Sequence, residues 1–102
     1  MLPLIEARRA EIADLCRRFR VHRLDVFGSA ARGTDFDPAR SDVDLLVSYE
    51  PGHATDIGDY LALRDALAGL LGRPVDLVME NAVENPFIRA GIERSRQKLY
   101  AA

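Results

Sequence analysis

The segment Ser41-Asp42-Val43-Asp44-Leu45-Leu46-Val47 constrains this chain more than any other. From Val43 onward it is an apolar run of strand length and strand composition. Successive strand side chains point to opposite faces, so Asp42 and Asp44 share a face. Asp44 falls inside the apolar run, where a buried carboxylate without a partner would be costly. An ordinary solvent face of a strand also carries polar residues, so the pair alone leaves both readings open. Upstream, His22 to Phe27 reads as another strand, with Leu24 and Val26 on one face, and it ends at Gly28-Ser29. Glycine admits backbone angles that other residues resist and lets a ligand come close. Ser29 adds a hydroxyl and starts a short helix to Arg32, and helix N-termini suit phosphate. Many strands end in such a turn with no ligand, so this signal too is weak by itself.

The remaining chain supplies elements to pack around these strands. Residues 3 to 20 read as one helix with Pro3 in its first turn and an apolar stripe of Ile5, Ile12, Leu15, Cys16 and Phe19. Gly33 to Ser41 is a polar loop containing Pro38, and Pro51-Gly52 ends the strand that runs from Val43 to Tyr49. Asp59 to Leu71 reads as an amphipathic helix with Tyr60, Leu63, Leu67, Leu70 and Leu71 inward, stopped by Gly72. Pro74 to Met79 reads as a short strand. Pro86 opens a last helix expected to carry Phe87, Ile88, Ile92 and Leu99. The expected order is α, β, short α, β, α, β, α. This predicts an α+β fold, a small mixed β-sheet with flanking helices.

The length of 102 residues suits one domain, 1–102, and the 48% apolar share can build a modest core. A formal net charge of −2 makes direct nucleic-acid binding unexpected, because such domains are usually basic. Cys16 is the only cysteine, which rules out an internal disulfide or a CxxC metal site and fits a reducing cytoplasm. It reads as a small core residue. The N-terminus becomes charged too soon for a signal peptide, and no apolar run reaches membrane-spanning length, so no membrane association is expected.

Asp76, in Val75-Asp76-Leu77-Val78, repeats the strand-aspartate pattern. Three carboxylates from two neighbouring strands would hold two divalent cations about 3.5–4 Å apart, an arrangement that clamps attacking and leaving oxygens in phosphoryl transfer. Mg²⁺ suits an all-oxygen donor set that lacks a Cys/His cluster. Asp25, in Leu24-Asp25-Val26, shows the same pattern, so the pattern does not by itself separate ligands from ordinary strand aspartates. Arg17, Arg18, Arg20, His22 and Arg23 form a basic cluster suited to a helix C-terminus or to a partner. Arg89, Arg94, Arg96 and Lys98 are ambiguous in the same way, and His22 and His53 have no visible role.

Gly28-Ser29-Ala30-Ala31-Arg32-Gly33, followed by Ser41-Asp42-Val43-Asp44-Leu45-Leu46-Val47, resembles the signature of the minimal nucleotidyltransferases of the DNA polymerase beta-like superfamily. The ending Ile92 to Tyr100 resembles that of the MNT antitoxins paired with HEPN-domain toxins. The resemblance covers essentially the whole chain and implies the nucleotidyltransferase fold. It implies that Asp42 and Asp44 bind Mg²⁺ carrying ATP, that Gly28 and Ser29 hold the terminal phosphates, and that Asp76 is the third carboxylate. Arg32 would steady phosphate charge. It further implies an antitoxin that transfers AMP from ATP to a tyrosine hydroxyl of a cognate HEPN RNase toxin, with homo- or hetero-oligomer formation left open. In one departure, twelve residues separate Ser29 from Asp42, about two more than the family pattern, in a loop of the kind that tolerates length changes. The change falls within Thr34 to Arg40 and adds two acidic groups beside a site for a polyanion. Two other functions stay open: a catalytically weak antitoxin that neutralises its toxin by direct binding, and a small-molecule nucleotidyltransferase. The latter is disfavoured because the chain lacks an extra helical domain to hold an acceptor.

Overall fold

The apolar runs at Val21–Phe27 (β1) and Val43–Tyr49 (β2) pair antiparallel, with Leu24 opposite Val47 and Phe27 opposite Asp44. Val75–Met79 (β3) runs parallel to β2, setting Asp44 beside Asp76 and Leu45 beside Leu77. A fourth strand, Gln97–Ala101 (β4), pairs antiparallel with β1. The sheet order is β3-β2-β1-β4. Five helices accompany it among the described residues: Pro3–Glu6 (α1), Arg9–Arg18 (α2), Ser29–Arg32 (α3), Ile57–Leu71 (α4) and Pro86–Ser95 (α5), with a 3₁₀ turn at Glu80–Ala82. This computed structural model describes residues 1–37, 39–52 and 56–102. Pro38 and His53, noted in the sequence, lie outside the described residues. The α+β class with a mixed sheet is as expected.

Alternation along the strands sorts two faces. Val26, Val43, Leu45, Val47 and Leu77 join Ile12, Cys16, Leu63 and Leu67 in the core, with α2 over β1 and β4 and α4 over β3. Burying a leucine such as Leu63 or Leu67 contributes roughly 2 kcal/mol. Burial pushes the Cys16 thiol up to about 12, which makes it an inert core residue, as expected. Asp25, Phe27, Asp44, Leu46 and Asp76 alternate onto the opposite face.

Three expectations are corrected. The helix over residues 3 to 20 is broken at Ala7-Arg8, where the Arg8 amide donates to the Ile5 carbonyl three residues back (3.1 Å) and tightens the turn. The break lets the N-terminus turn toward α3, and the Leu2 amide donates to the Ala30 carbonyl (3.1 Å). The last helix does not reach Leu99; it ends at Ser95, and Leu99 is buried from β4 instead. The spacing Ile92 to Leu99 fits one face of a helix, but free backbone groups along β1 offer a ladder to the last residues, and pairing overrides the local pattern. Finally, Phe87 and Ile88 are 85% and 58% exposed and are not core residues, so Ile92 alone is buried along α5.

Caps explain two boundaries. Asp56 accepts from the Asp59 amide (2.7 Å) and starts α4 two residues before the expected Asp59. Gly72 closes it in the left-handed conformation, φ +66°. No helix among the described residues is long and apolar enough to cross a membrane.

Candidate functional site

The strand β1 delivers the chain to Gly28, whose φ of +70° and ψ of −150° lie in a region essentially reserved for glycine. The next strand brings Asp44 directly opposite Phe27, so its carboxylate meets the turn. A Cβ placed on Gly28 would lie 2.6 Å from Asp44 Oδ2. The glycine is therefore required twice, for its backbone angle and for the space that Asp44 occupies. Gly28→Ala is expected to lower stability by about 1–3 kcal/mol through backbone strain alone and to displace the Asp44 carboxylate. Urea unfolding together with an activity assay would show both losses.

Asp76 lies in register with Asp44 on the adjacent strand, and strands are spaced about 4.8 Å apart. Asp42 is exposed two residues before Asp44, and Asp76 is exposed as well. Partial burial, then the charges of Asp76 and Asp42, push the Asp44 carboxyl up to about 6, while Arg32 opposes the shift. Asp42, Asp76 and Arg32 thus all act on the Asp44 carboxylate. Among the described residues no group of three or more His, Cys, Asp or Glu side chains is gathered closely enough to hold a metal ion. The donor chemistry nevertheless fits Mg²⁺: the candidate donors are all carboxylate oxygens, and an added cation would relieve the repulsion that raises Asp44.

Ser29 begins α3, and Ala30 and Ala31 behind it are buried, so the short helix is seated on the core. Arg32, at its end, is not free to face the carboxylates alone. Its guanidinium donates to both oxygens of Asp35 (3.1 and 2.8 Å). Asp35 belongs to the longer loop, which is further anchored by Phe36 lying 5.4 Å under the Arg73 guanidinium.

Asp25, which the sequence pattern did not separate from the others, takes a different part. It is fully buried and receives Arg96 Nε (2.7 Å) and Arg23 Nε (3.0 Å). Arg96 also reaches Glu93 (2.6 Å) and Glu80 (3.2 Å). This pairing has no local signal in the sequence: Arg96 is one of several arginines near the end of the chain, 71 residues from Asp25. The basic cluster near the end of α2 largely meets acidic neighbours: Arg17 pairs with Asp14, Arg20 with Glu50 (3.5 Å) and Arg23 with Asp25. An open cleft of about 450 Å³, lined by Asp56, Ile57, Tyr60, Met79 and Ala82, contains none of the candidate site residues.

A mixed sheet that sets paired aspartates against a glycine turn defines the chain as a nucleotidyltransferase. Residues 10–99 match the nucleotidyltransferase domain family, and the chain belongs to that family. It is 38% identical over 72 residues to the protein adenylyltransferase MntA of Thermococcus cleftensis, covering 71% of this chain and 69% of that protein. A solved minimal nucleotidyltransferase, provisionally so named, superposes with a TM-score of 0.71 at 40% identity, covering 90% of this chain and 89% of the other. The fold also matches a Shewanella oneidensis complex of a tri-AMPylated HEPN toxin with an MNT antitoxin: TM-score 0.67, 19% identity, 96% of this chain and 73% of that one.

Proposed function

We propose that residues 1–102 act as a single minimal nucleotidyltransferase domain, an Mg²⁺-dependent antitoxin that transfers AMP from ATP to a tyrosine hydroxyl of a cognate HEPN toxin in the cytoplasm. The observation that carries this reading is the Asp44 carboxylate set against Gly28 with Asp76 beside it in register. The MntA relative is named for protein adenylylation, and the Shewanella complex pairs an MNT antitoxin with an AMPylated HEPN toxin.

Asp42, Asp44 and Asp76 would hold Mg²⁺. When bound, the metal would offset phosphate charge and acidify a nearby hydroxyl. Gly28 and Ser29 receive the terminal phosphates, the glycine by allowing close approach and the serine through its hydroxyl. Arg32 offsets the negative charge that develops on those phosphates. A tyrosine hydroxyl has a pKa near 10 and needs a base near neutral pH. Asp76, exposed on the face it shares with Asp44, either takes that proton or holds the metal that would acidify the hydroxyl, as the phenolic oxygen attacks the α-phosphorus and pyrophosphate leaves.

The test is incubation with Mg²⁺, labelled ATP and a HEPN-domain protein, sought first in the reading frame adjacent to this one. Label should appear on that protein and be lost with Asp42→Ala/Asp44→Ala. An unlabelled partner, or a double variant as active as the wild type, would end the catalytic reading. One observation favours the alternative of a weakly catalytic antitoxin that acts by contact: Arg32 is held by Asp35. In that case Asp44→Ala still protects cells that express the toxin. If Arg32 serves phosphate, Asp35 competes with it, although an exposed pair of this kind is worth only about 0–1 kcal/mol. Asp35→Ala is therefore expected to lower KM for ATP by about two- to fivefold, with kcat little changed, in steady-state assays.

A further inference from the structure

Three consecutive residues at the junction of α5 and β4 close on the glycine turn. The Gly28 amide donates to Ser95 Oγ (2.9 Å) across 67 residues of chain. Arg96 Nε donates to the buried Asp25, three residues before Gly28 (2.7 Å). Gln97 Nε2 donates to the Ala31 carbonyl (3.2 Å), three residues after it. The turn is thus held before, at and after its glycine by side chains from one short segment. No residue of that segment belongs to the acidic face, and none carries a feature in the sequence that points to the turn.

We infer that Ser95, supported by Arg96 and Gln97, is a positioning residue for nucleotide binding, which rests on the function proposed above. Glycine reaches φ +70°, ψ −150° without steric strain but can leave it as easily for other conformations, so the turn needs outside contacts to hold it, and a hydrogen bond to the glycine's own amide fixes its peptide plane. Gly28 also stands against Asp44 Oδ2, so a shift of that plane moves the wall against which the carboxylate rests. Because the Gly28 N–H is already bonded to Ser95, it is not a phosphate donor. Ser95 therefore acts through the shape of the turn and not through contact with the ligand. Ser95 Oγ lies 3.5 Å from the Gly91 and Ile92 carbonyls, so its proton can point back into α5 while its lone pair faces Gly28.

The experiment compares wild type, Ser95→Ala, Ser95→Thr and Gln97→Ala as full chains. Three quantities are read: affinity for Mg²⁺ with AMP-PNP by calorimetry, hydrogen exchange at the Gly28 amide by NMR, and thermal midpoint. Ser95→Ala should weaken nucleotide binding about five- to tenfold, the loss of roughly one hydrogen bond's contribution, and should speed Gly28 exchange at least tenfold, beside a midpoint about 4–8 °C lower. Ser95→Thr, which keeps the hydroxyl, should restore both. Nucleotide affinity unchanged in Ser95→Ala overturns the inference, as does Gly28 exchange unchanged from wild type. Should Ser95→Ala fail to fold, Gln97→Ala carries the same expectation for affinity at smaller size, and an unaltered affinity there overturns it. A wild type that binds nucleotide but labels no protein overturns the proposed acceptor and leaves this comparison readable. A wild type that binds no nucleotide overturns both.

Discussion

Asp44→Asn is expected to reduce AMP transfer at least about 100-fold, the scale of losing one preorganised electrostatic group at a phosphoryl-transfer site, while making the metal-free protein more stable at pH 7. The second half follows from the sign of the titration. Burial and the neighbouring carboxylates push Asp44 from an ordinary value of 3.8 up to about 6. The folded protein therefore binds this proton more tightly than the unfolded chain. Stability is greatest below the unfolded value and falls as pH rises from about 4 to about 6. A two-unit shift corresponds to about 3 kcal/mol at most; because Asp44 is only half-buried, solvent screening reduces this to about 1 kcal/mol. Asparagine removes the charge and the penalty together. Thermal melts in chelator at pH 7 should show a midpoint about 4–8 °C higher for Asp44→Asn, with the difference vanishing near pH 4. A variant no more stable than wild type at pH 7 would show that Asp44 bears no such repulsion. For the wild type, metal ligation requires the ionised form, so Mg²⁺ affinity should fall about tenfold between pH 7 and pH 5.

Arg96→Met is expected to give the largest loss of stability, about 3 kcal/mol. Removing one partner of a buried ion pair typically costs 3–5 kcal/mol because the other charge is stranded. Here Arg23 still reaches Asp25 (3.0 Å), which places the loss at the lower end. The informative comparison is Asp25→Leu/Arg96→Met, in which neither charge remains. Replacing a buried pair by apolar groups is often neutral, so the double variant should recover most of the lost stability in urea unfolding. A single variant within about 1 kcal/mol of wild type would mean that the Asp25–Arg96 pair contributes little to joining β1 to the end of α5.

The two elements that meet at the candidate site were legible because their signals are local. An apolar run interrupted by aspartates at alternate positions can only present those aspartates on one face. A Gly-Ser after a strand can turn where other residues resist. The helix over residues 57–71 was legible for the same reason, since its leucines recur at 3.6-residue spacing and Gly72 ends it. The errors fell where two local patterns agree. Ile92 and Leu99 fit one helix face, yet Leu99 belongs to a strand, because the free edge of β1 was available to pair. Phe87 and Ile88 look like core residues by composition, yet Asn85 caps α5 in a direction that leaves both exposed.

The chain's local order alone thus determined that it has strands bearing carboxylates and a glycine bend able to stand near phosphate. Which carboxylates came together was a matter of pairing. Three aspartates of β1, β2 and β3 share one face. The register set Asp44 beside Asp76, and a distant arginine took Asp25 out of that company. The bond from Ser95 to Gly28 was likewise decided in space. Such contacts join residues about 70 positions apart, and no spacing rule reaches that far. They form only once the sheet has brought its edges and the last helix together.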